Sequence, residues 1–341
     1  MSSSRIPVPI AGLAALALAL TACATDDPGA DSADSADSVM VANAQPTLVL
    51  VESDGESTFQ EDTEVARGAV EVPYQPTAVV TFDIATLDTL DAIGAGDTVV
   101  GIPEIPLPDY LSQYADLPKV GTLFEPDYEA VAELDPDLIV TAARSTGAYD
   151  ELAEISTTID LTAAFAGKFD PTAGLERAEQ LGEIFGAEDA VAEAAERINA
   201  LEADIESAAD GTALVLSVSG GEYGAFGEGS RFGYFYDVLG FTPAVVAADL
   251  PGVEGSPHGD TVTNEFLLTA NPDWIIAFDR GAAVGDGSTA AETLDNELVA
   301  RTTAAQEGHI VYLPASELYI VINGLTAMQN VLTEIADVVV G

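Results

Sequence analysis

Three arginines stand out in a chain that has few cations. The sequence holds 58 Asp and Glu against 10 Lys and Arg, a formal net charge of −48, so a guanidinium beside a strand end is informative. Two of the three occupy matching places in a duplicated segment. The first copy runs Tyr128-Glu129-Ala-Val-Ala-Glu-Leu-Asp-Pro136-Asp137-Leu-Ile-Val-Thr-Ala-Ala-Arg144, and the second Asn264-Glu265-Phe-Leu-Leu-Thr-Ala-Asn-Pro272-Asp273-Trp-Ile-Ile-Ala-Phe-Asp-Arg280. Glu, Pro, Asp and Arg match at one spacing, since 265 − 129 and 280 − 144 both equal 136. The third, Arg231, lies in Gly227-Glu-Gly-Ser-Arg-Phe-Gly233, where glycines allow a ligand to approach closely. Arginine donates forked hydrogen bonds to oxygen anions and stacks on flat rings. Three of them in one cleft suit a partner with several negative charges. The competing reading is that each arginine pairs with one of the many acids, and Asp279 adjoins Arg280.

The elements that must position these residues follow from the same repeat. Each copy reads as a short helix, a Pro-Asp turn, a buried strand (Leu138–Thr141; Trp274–Phe278) and an arginine just beyond it. Arg144 and Arg280 then sit at equivalent strand ends and should face each other. A looser correspondence links Thr89-Leu-Asp-Ala-Ile-Gly94 to Phe235-Tyr-Asp-Val-Leu-Gly240, each after a strand candidate, Ala78–Phe82 and Ala213–Val218. Strands alternating with helices imply two Rossmann-like α/β lobes with central parallel or mixed sheets. Residues 47–170 make the first lobe and 210–341 the second. Between them, 171–209 is helical. Asp170-Pro171 supplies a cap and a proline at the first helical position, and Gly186 marks a break. A run over 188–208, with Val191, Ala194, Ile198, Leu201, Ile205 and Ala208 on one face, would span roughly 30 Å. One long helix joining two lobes makes a stiff hinge.

The N-terminus sets the compartment. Arg5 and the apolar run Ile10–Ala22 read as a signal peptide over 1–22, too short for a permanent span. It ends in Leu20-Thr21-Ala22-Cys23, which resembles the bacterial lipobox, and Cys23 is the sole cysteine. An ordinary secretory peptide, or a cytosolic protein with an apolar start, is the alternative. Residues 23–46 read as an acidic tether, because 24–38 contain no large apolar side chain able to offset ordering entropy. With one cysteine there is no disulfide, and the net charge excludes nucleic acid.

Taken together these residues resemble the substrate-binding proteins of iron–siderophore and cobalamin ABC importers. Within that group the chain is most similar to the Gram-positive and epsilon-proteobacterial branch that binds ferric catecholates of the petrobactin and enterobactin type. The resemblance spans 47–341 and is carried by Phe82-Asp83, Leu87-Asp-Thr-Leu90, Glu125-Pro-Asp-Tyr-Glu129, Leu134-Asp-Pro-Asp-Leu-Ile139, Gly229-Ser-Arg-Phe-Gly233, His258-Gly259, Asn271-Pro-Asp273 and Asp279-Arg280. It implies the fold of class III solute-binding proteins, with two lobes on one helical hinge. It implies no enzyme activity and no cofactor, a ferric siderophore as ligand, and an ABC permease as partner. It also implies a lipid anchor on Cys23 facing outward from the cell membrane or into a periplasm, and a monomer. Arg144, Arg231 and Arg280 match the cleft arginines of that branch. His258 and Tyr319 match a pair that binds iron directly when the siderophore supplies four donors, which suits imidazole and a hard phenolate. A turn histidine and a packed tyrosine are the plainer readings. Glu129 and Glu265 match the glutamates that dock on the permease, with Glu125 a neighbouring competitor. His309 is expected to be structural. Haem, cobalamin or a bare metal ion are the alternative ligands, and a structural or adhesive surface protein is the alternative class. An enzyme is disfavoured by only 2 histidines and by the lack of a phosphate-binding loop or nucleophile-elbow motif.

Overall fold

Two antiparallel strand pairs lead into the first lobe. The computed structural model describes residues 37–44, 47–53, 56–62, 67–163, 167–252, 258–283 and 289–341; Cys23, the expected signal peptide and most of the expected tether lie outside the described residues. Strand β1 (Ser38–Ala42) pairs with β4 (Ala69–Pro73), and β2 (Thr47–Ser53) with β3 (Glu56–Asp62). β1 falls inside the stretch expected as tether. Ordered chain therefore starts before residue 47, because Val41 packs into the first lobe's core at 2% exposure.

The lobe itself is a parallel sheet of β5 (Val79–Thr81), β6 (Val99–Gly101), β7 (Leu138–Thr141) and β8 (Thr158–Asp160), in the spatial order β6-β5-β7-β8. Every residue of β5, β7 and β8 is buried, as expected of parallel strands covered on both faces. Helices α1 (Ile84–Ala92), α2 (Tyr128–Glu133) and α3 (Tyr149–Ala153) connect them.

Two helices follow, α4 (Pro171–Phe185) and α5 (Glu188–Ala208). Asp170 caps α4 by accepting from the Ala173 N–H at 3.2 Å. The break between the helices is Gly186, which ends α4 in the left-handed region at φ 64. The bridge is divided unequally. Leu181, Ile184 and Phe185 of α4 belong to the first lobe's core, whereas Ala178 belongs to the second's. Val191, Ala194, Ile198 and Ile205 of α5 all face the second. The longer helix is thus part of one lobe, and α4 is the segment that bears on both.

The second lobe contains β9 (Thr212–Ser219), β10 (Glu222–Phe226), α6 (Tyr234–Asp237), β11 (Thr242–Pro243), β12 (Asp260–Val262), α7 (Asn264–Ala270), β13 (Trp274–Asp279), α8 (Arg280–Ala283), α9 (Ala290–Leu294), α10 (Thr303–Glu307), β14 (Ile310–Leu313) and α11 (Leu325–Val339). Its sheet runs β12-β10-β9-β13-β14, with β11 also on β9. β9, β13 and β14 are parallel, β10 alone runs against them, and β12, antiparallel to β10, points the same way as β9. One lobe is parallel and the other mixed.

The sequence repeat has a structural cause. Asp135 and Asn271 both take the left-handed conformation after their helices, at φ 46 and 43. Two residues on, each repeat aspartate ties its turn to the start of the neighbouring central strand. Asp137 accepts from the Thr77 N–H at 2.8 Å and the Ala78 N–H at 3.0 Å. Asp273 accepts from the Thr212 N–H at 2.7 Å and its hydroxyl at 2.8 Å, and these bonds hold its carboxyl below the ordinary value.

A longer-range tie joins the lobes. Asp88 of α1 is fully buried, yet its carboxylate accepts from the Thr326 N–H at 2.8 Å and the Ala327 N–H at 3.1 Å, at the start of α11. Tyr110 donates to it as well, at 2.6 Å. Burial nevertheless pushes the Asp88 carboxyl up to about 7, with the nearby Glu317 carboxylate adding to the shift and the donors opposing it. Charging a group with a raised folded value costs stability. Its contribution is therefore full below the ordinary carboxylate range and is lost as pH rises to about 7. Asp88→Asn does not titrate, so its melting temperature should climb relative to the parent's by about 2 °C or more between about pH 5 and pH 8. Paired thermal scans check this, and a difference that is flat or falls with pH contradicts it.

Candidate functional site

Parallel strands in α/β sheets present their carboxyl ends to ligands, and two of the three arginines stand at such ends. Arg280 follows β13 directly as the first residue of α8. Arg144 lies just past β7, in a 3-10 turn over Ala143–Ala148 that opens with Ala143 at φ 45. Arg231 sits in the glycine-rich turn ahead of α6. Its carbonyl accepts from the Phe169 N–H at 2.9 Å, and its Nε donates to the Gly167 carbonyl at 2.9 Å. Arg231 thereby grips the strand of chain that crosses between the lobes.

All three meet at Tyr319. That residue lies on a π-helical turn, Glu317–Val321, closed by a 2.7 Å bond from the Ile322 N–H to the Glu317 carbonyl; such turns recur at functional positions. Arg144 donates to the Tyr319 carbonyl at 2.9 Å and the Ile320 carbonyl at 3.4 Å. The Arg231 guanidinium stands 5.0 Å from the Tyr319 ring centre and 4.9 Å from that of Phe232. Arg280 lies 5.7 Å from the Tyr319 ring, and its Nε donates to the phenol oxygen at 3.2 Å. The exposed His258 brings Nδ1 within 3.4 Å of that oxygen. The structure therefore gathers all five residues singled out in the sequence as cleft ligands. Phe278 stacks against the Tyr319 ring at 6.3 Å. Phe232 and Phe278 carry no functional signal in the sequence beyond lying within two residues of an arginine.

The electrostatics favour an incoming anion. Burial, together with repulsion from Arg144 and Arg280, pulls Arg231 down to about 10, with Tyr319 opposing. Burial also lowers Arg144, offset in part by Tyr319 and Asp83. The carboxylate of Asp279, the acid next to Arg280 in sequence, accepts from the Ala290 N–H at 3.1 Å. Among the described residues, no carboxylate lies at ion-pair distance from Arg144 or Arg280. The acceptors that orient these two are carbonyl and phenol oxygens, which leave the positive charge intact. Beside Arg144 a cavity of about 50 Å³ is lined by Asp83, Arg177 and Asn323 among others.

The two glutamates occupy equivalent places in the two lobes. Asp127 caps α2 and Thr263 caps α7, which makes Glu129 and Glu265 the second residue of their respective helices. Both are exposed. Glu125 is exposed too, but precedes the helix. His309 stacks on Trp274 with ring centres 4.0 Å apart, a structural contact at the end of β13 opposite Arg280.

Comparison with known proteins gives a consistent picture. Residues 79–317 match the periplasmic binding protein family model. The petrobactin-binding protein YclQ of Bacillus subtilis is 36% identical over 297 residues, covering 84% of this chain and 90% of that protein. Its crystal structure superposes with a TM-score of 0.72 at 34% identity, over 86% of this chain and 98% of that one. The ferric-anguibactin-binding protein FatB of Vibrio anguillarum is 27% identical, over 79% of this chain and 84% of that protein. The periplasmic catecholate-siderophore binding protein VctP of Vibrio cholerae gives a TM-score of 0.69 at 30% identity, over 85% of this chain and 99% of that one.

A consequence of the cluster needs no ligand to be tested. Removing Arg280 relieves part of the repulsion felt by Arg231 in the empty protein. Arg280→Gln should leave the melting temperature of the ligand-free protein equal to the parent's or higher, as where a site trades stability for function. A loss equivalent to more than about 1 kcal/mol, the size of an ordinary destabilising substitution, would show that Arg280 is a structural residue.

Proposed function

The chain belongs to the periplasmic binding protein family, and we propose that it captures an anionic iron(III)–catecholate siderophore between its two lobes and delivers it to an ABC permease. The observation that carries this reading is the convergence of Arg144, Arg231 and Arg280 on the single residue Tyr319. A ferric tris-catecholate spreads several negative charges over phenolate oxygens set on flat rings. Guanidiniums donate to such oxygens and stack on such rings, and the Tyr319 and Phe232 faces extend the platform. Because the fold already holds the cations in place, little ordering remains to oppose binding. The ligands named for YclQ, FatB and VctP support the same class of cargo.

The pair Tyr319 and His258 gives the site a second mode. With a six-donor siderophore the iron is saturated, and the arginines alone hold the complex. With a four-donor siderophore two coordination positions stay open. Adjacent positions on an octahedral ion are about 3 Å apart when the bonds are about 2.1 Å, close to the 3.4 Å between the phenol oxygen and Nδ1. Tyr319 and His258 would complete the shell as neighbouring ligands.

Delivery assigns the remaining residues. Glu129 and Glu265, exposed at matched helix starts in the two lobes, would meet cations on the permease in a salt-sensitive contact. The receptor would act as a monomer, exported and held by lipid on Cys23. Residues 24–38 would give it reach on the outer face of a cell membrane or within a periplasm.

Calorimetric titration with ferric tris-catecholate, the iron-free siderophore, haem and cobalamin tests the reading. The ferric complex should bind and the other three should not; binding of haem or cobalamin without the ferric complex would sink it. Arg231→Gln and Arg280→Gln should each weaken the ferric complex by about 1–3 kcal/mol, the scale of a charged hydrogen bond. Glu129→Ala and Glu265→Ala should bind as the parent does while uptake through the permease falls. Unchanged uptake in the double variant would remove the docking role.

A further inference from the structure

Helix α11 lacks a cap from its own sequence. The residue before it is Gly324, which has no side chain, and no side-chain cap is made locally. The first N–H groups of a helix need acceptors, and here Asp88 of the other lobe supplies them to Thr326 and Ala327. The glycine is what permits this. A Cβ at 324 would come within 2.5 Å of the Asp88 carboxyl.

The same short stretch of chain carries Tyr319, and it is held at several points along its length. Arg144 binds the carbonyls of Tyr319 and Ile320. Asn323 accepts from the Asp170 N–H and donates to the Lys168 carbonyl, both at 2.9 Å. Between those points Ile322 adopts φ 65 and ψ −84, a γ-turn closed by the Asn323 N–H to the Val321 carbonyl at 3.0 Å, a conformation costly for a β-branched residue and sustained only where its surroundings fix it. Asp88 fixes the far end, and Tyr110 in turn orients Asp88.

We infer that Asp88 is a positioning residue for Tyr319: by anchoring the start of α11 to the first lobe it sets, through residues 320–324, the place of the Tyr319 phenol beside Arg280 and His258. Its link to ligand choice rests on the reading of Tyr319 as a donor to iron. Affinity for a six-donor complex, whose iron takes no donor from the protein, should feel Asp88 only weakly. Affinity for a four-donor complex, which needs the phenol in register, should depend on it.

Two measurements test this on the full-length protein. The first is fluorine NMR of 3-fluorotyrosine-labelled, ligand-free protein, with the Tyr319 signal assigned from Tyr319→Phe. Asp88→Ala should shift or broaden that signal, and Asp88→Asn, which keeps an acceptor for the helix, should largely restore it. A Tyr319 signal unmoved in Asp88→Ala overturns the inference. The second compares ferric bis-catecholate with ferric tris-catecholate. Asp88→Ala should weaken the four-donor complex at least about fivefold, the scale of a lost helix cap, and diminish its phenolate-to-iron charge-transfer band. The six-donor complex should lose clearly less, since its iron takes no donor from Tyr319 and only the arginine contacts to that turn are disturbed. Equal losses for both ligands would reduce Asp88 to a stability residue and overturn the inference. If Asp88→Ala does not fold, Gly324→Ala, which drives a methyl into the carboxylate, should produce the same two signatures. Tyr319→Phe separates the two layers: an unaltered charge-transfer band there defeats direct ligation, while the NMR result still decides the positioning.

Discussion

The gathering of Arg144, Arg231 and Arg280 around Tyr319 is the constraint around which the rest of the chain is arranged. Like charges gathered in a partly buried site interact more strongly than they would in water, and a carboxylate beside each would be the simplest remedy. The fold uses carbonyls and a phenol for Arg144 and Arg280, acceptors that orient a guanidinium without cancelling it. The charge is therefore retained for a partner. Around it, the net charge of −48 repels anions at long range, but salt confines that field to about 8–10 Å at physiological strength. Inside the cleft the local cations dominate.

Holding such a cluster requires a frame that does not yield, and the frame is made of bonds between distant parts of the chain. Asp137 and Asp273 fasten the two repeat turns to the central strands, so that the arginines beyond the strands start from fixed positions. Arg231 grips the crossover at Gly167 and Phe169, and Asp88 fastens the start of α11. The lobes are thus coupled through the residues that line the space between them. A ligand that engages the arginines also engages the connection between lobes.

What could be read in the sequence was what local spacing dictates. The strand Leu138–Thr141 and the positions of Arg144 and Arg280 were legible because a Pro-Asp turn ends one element and a short apolar run bounds the next. The cap Asp170 and the break at Gly186 were legible for similar reasons. The convergence on Tyr319 was only half legible. Its surroundings read as an apolar run, and nothing local announces a π-helical turn in Glu317–Val321. Asp88 was invisible as a tie, for its partners Thr326 and Ala327 lie more than two hundred residues away. β1 escaped because the acidic, small-residue composition before it masks a five-residue strand whose order comes from pairing with β4. The division of the bridge between α4 and α5 depends on which core each helix faces, and periodicity identifies a face without naming its partner.

The most direct test of the central claim is a crystal structure of the protein with a ferric tris-catecholate bound. The complex should lie between the lobes, with the guanidiniums of Arg144, Arg231 and Arg280 turned to catecholate oxygens and a ligand ring against Tyr319 or Phe232. A ligand seated elsewhere, or one in this cleft whose oxygens meet none of the three arginines, would contradict it.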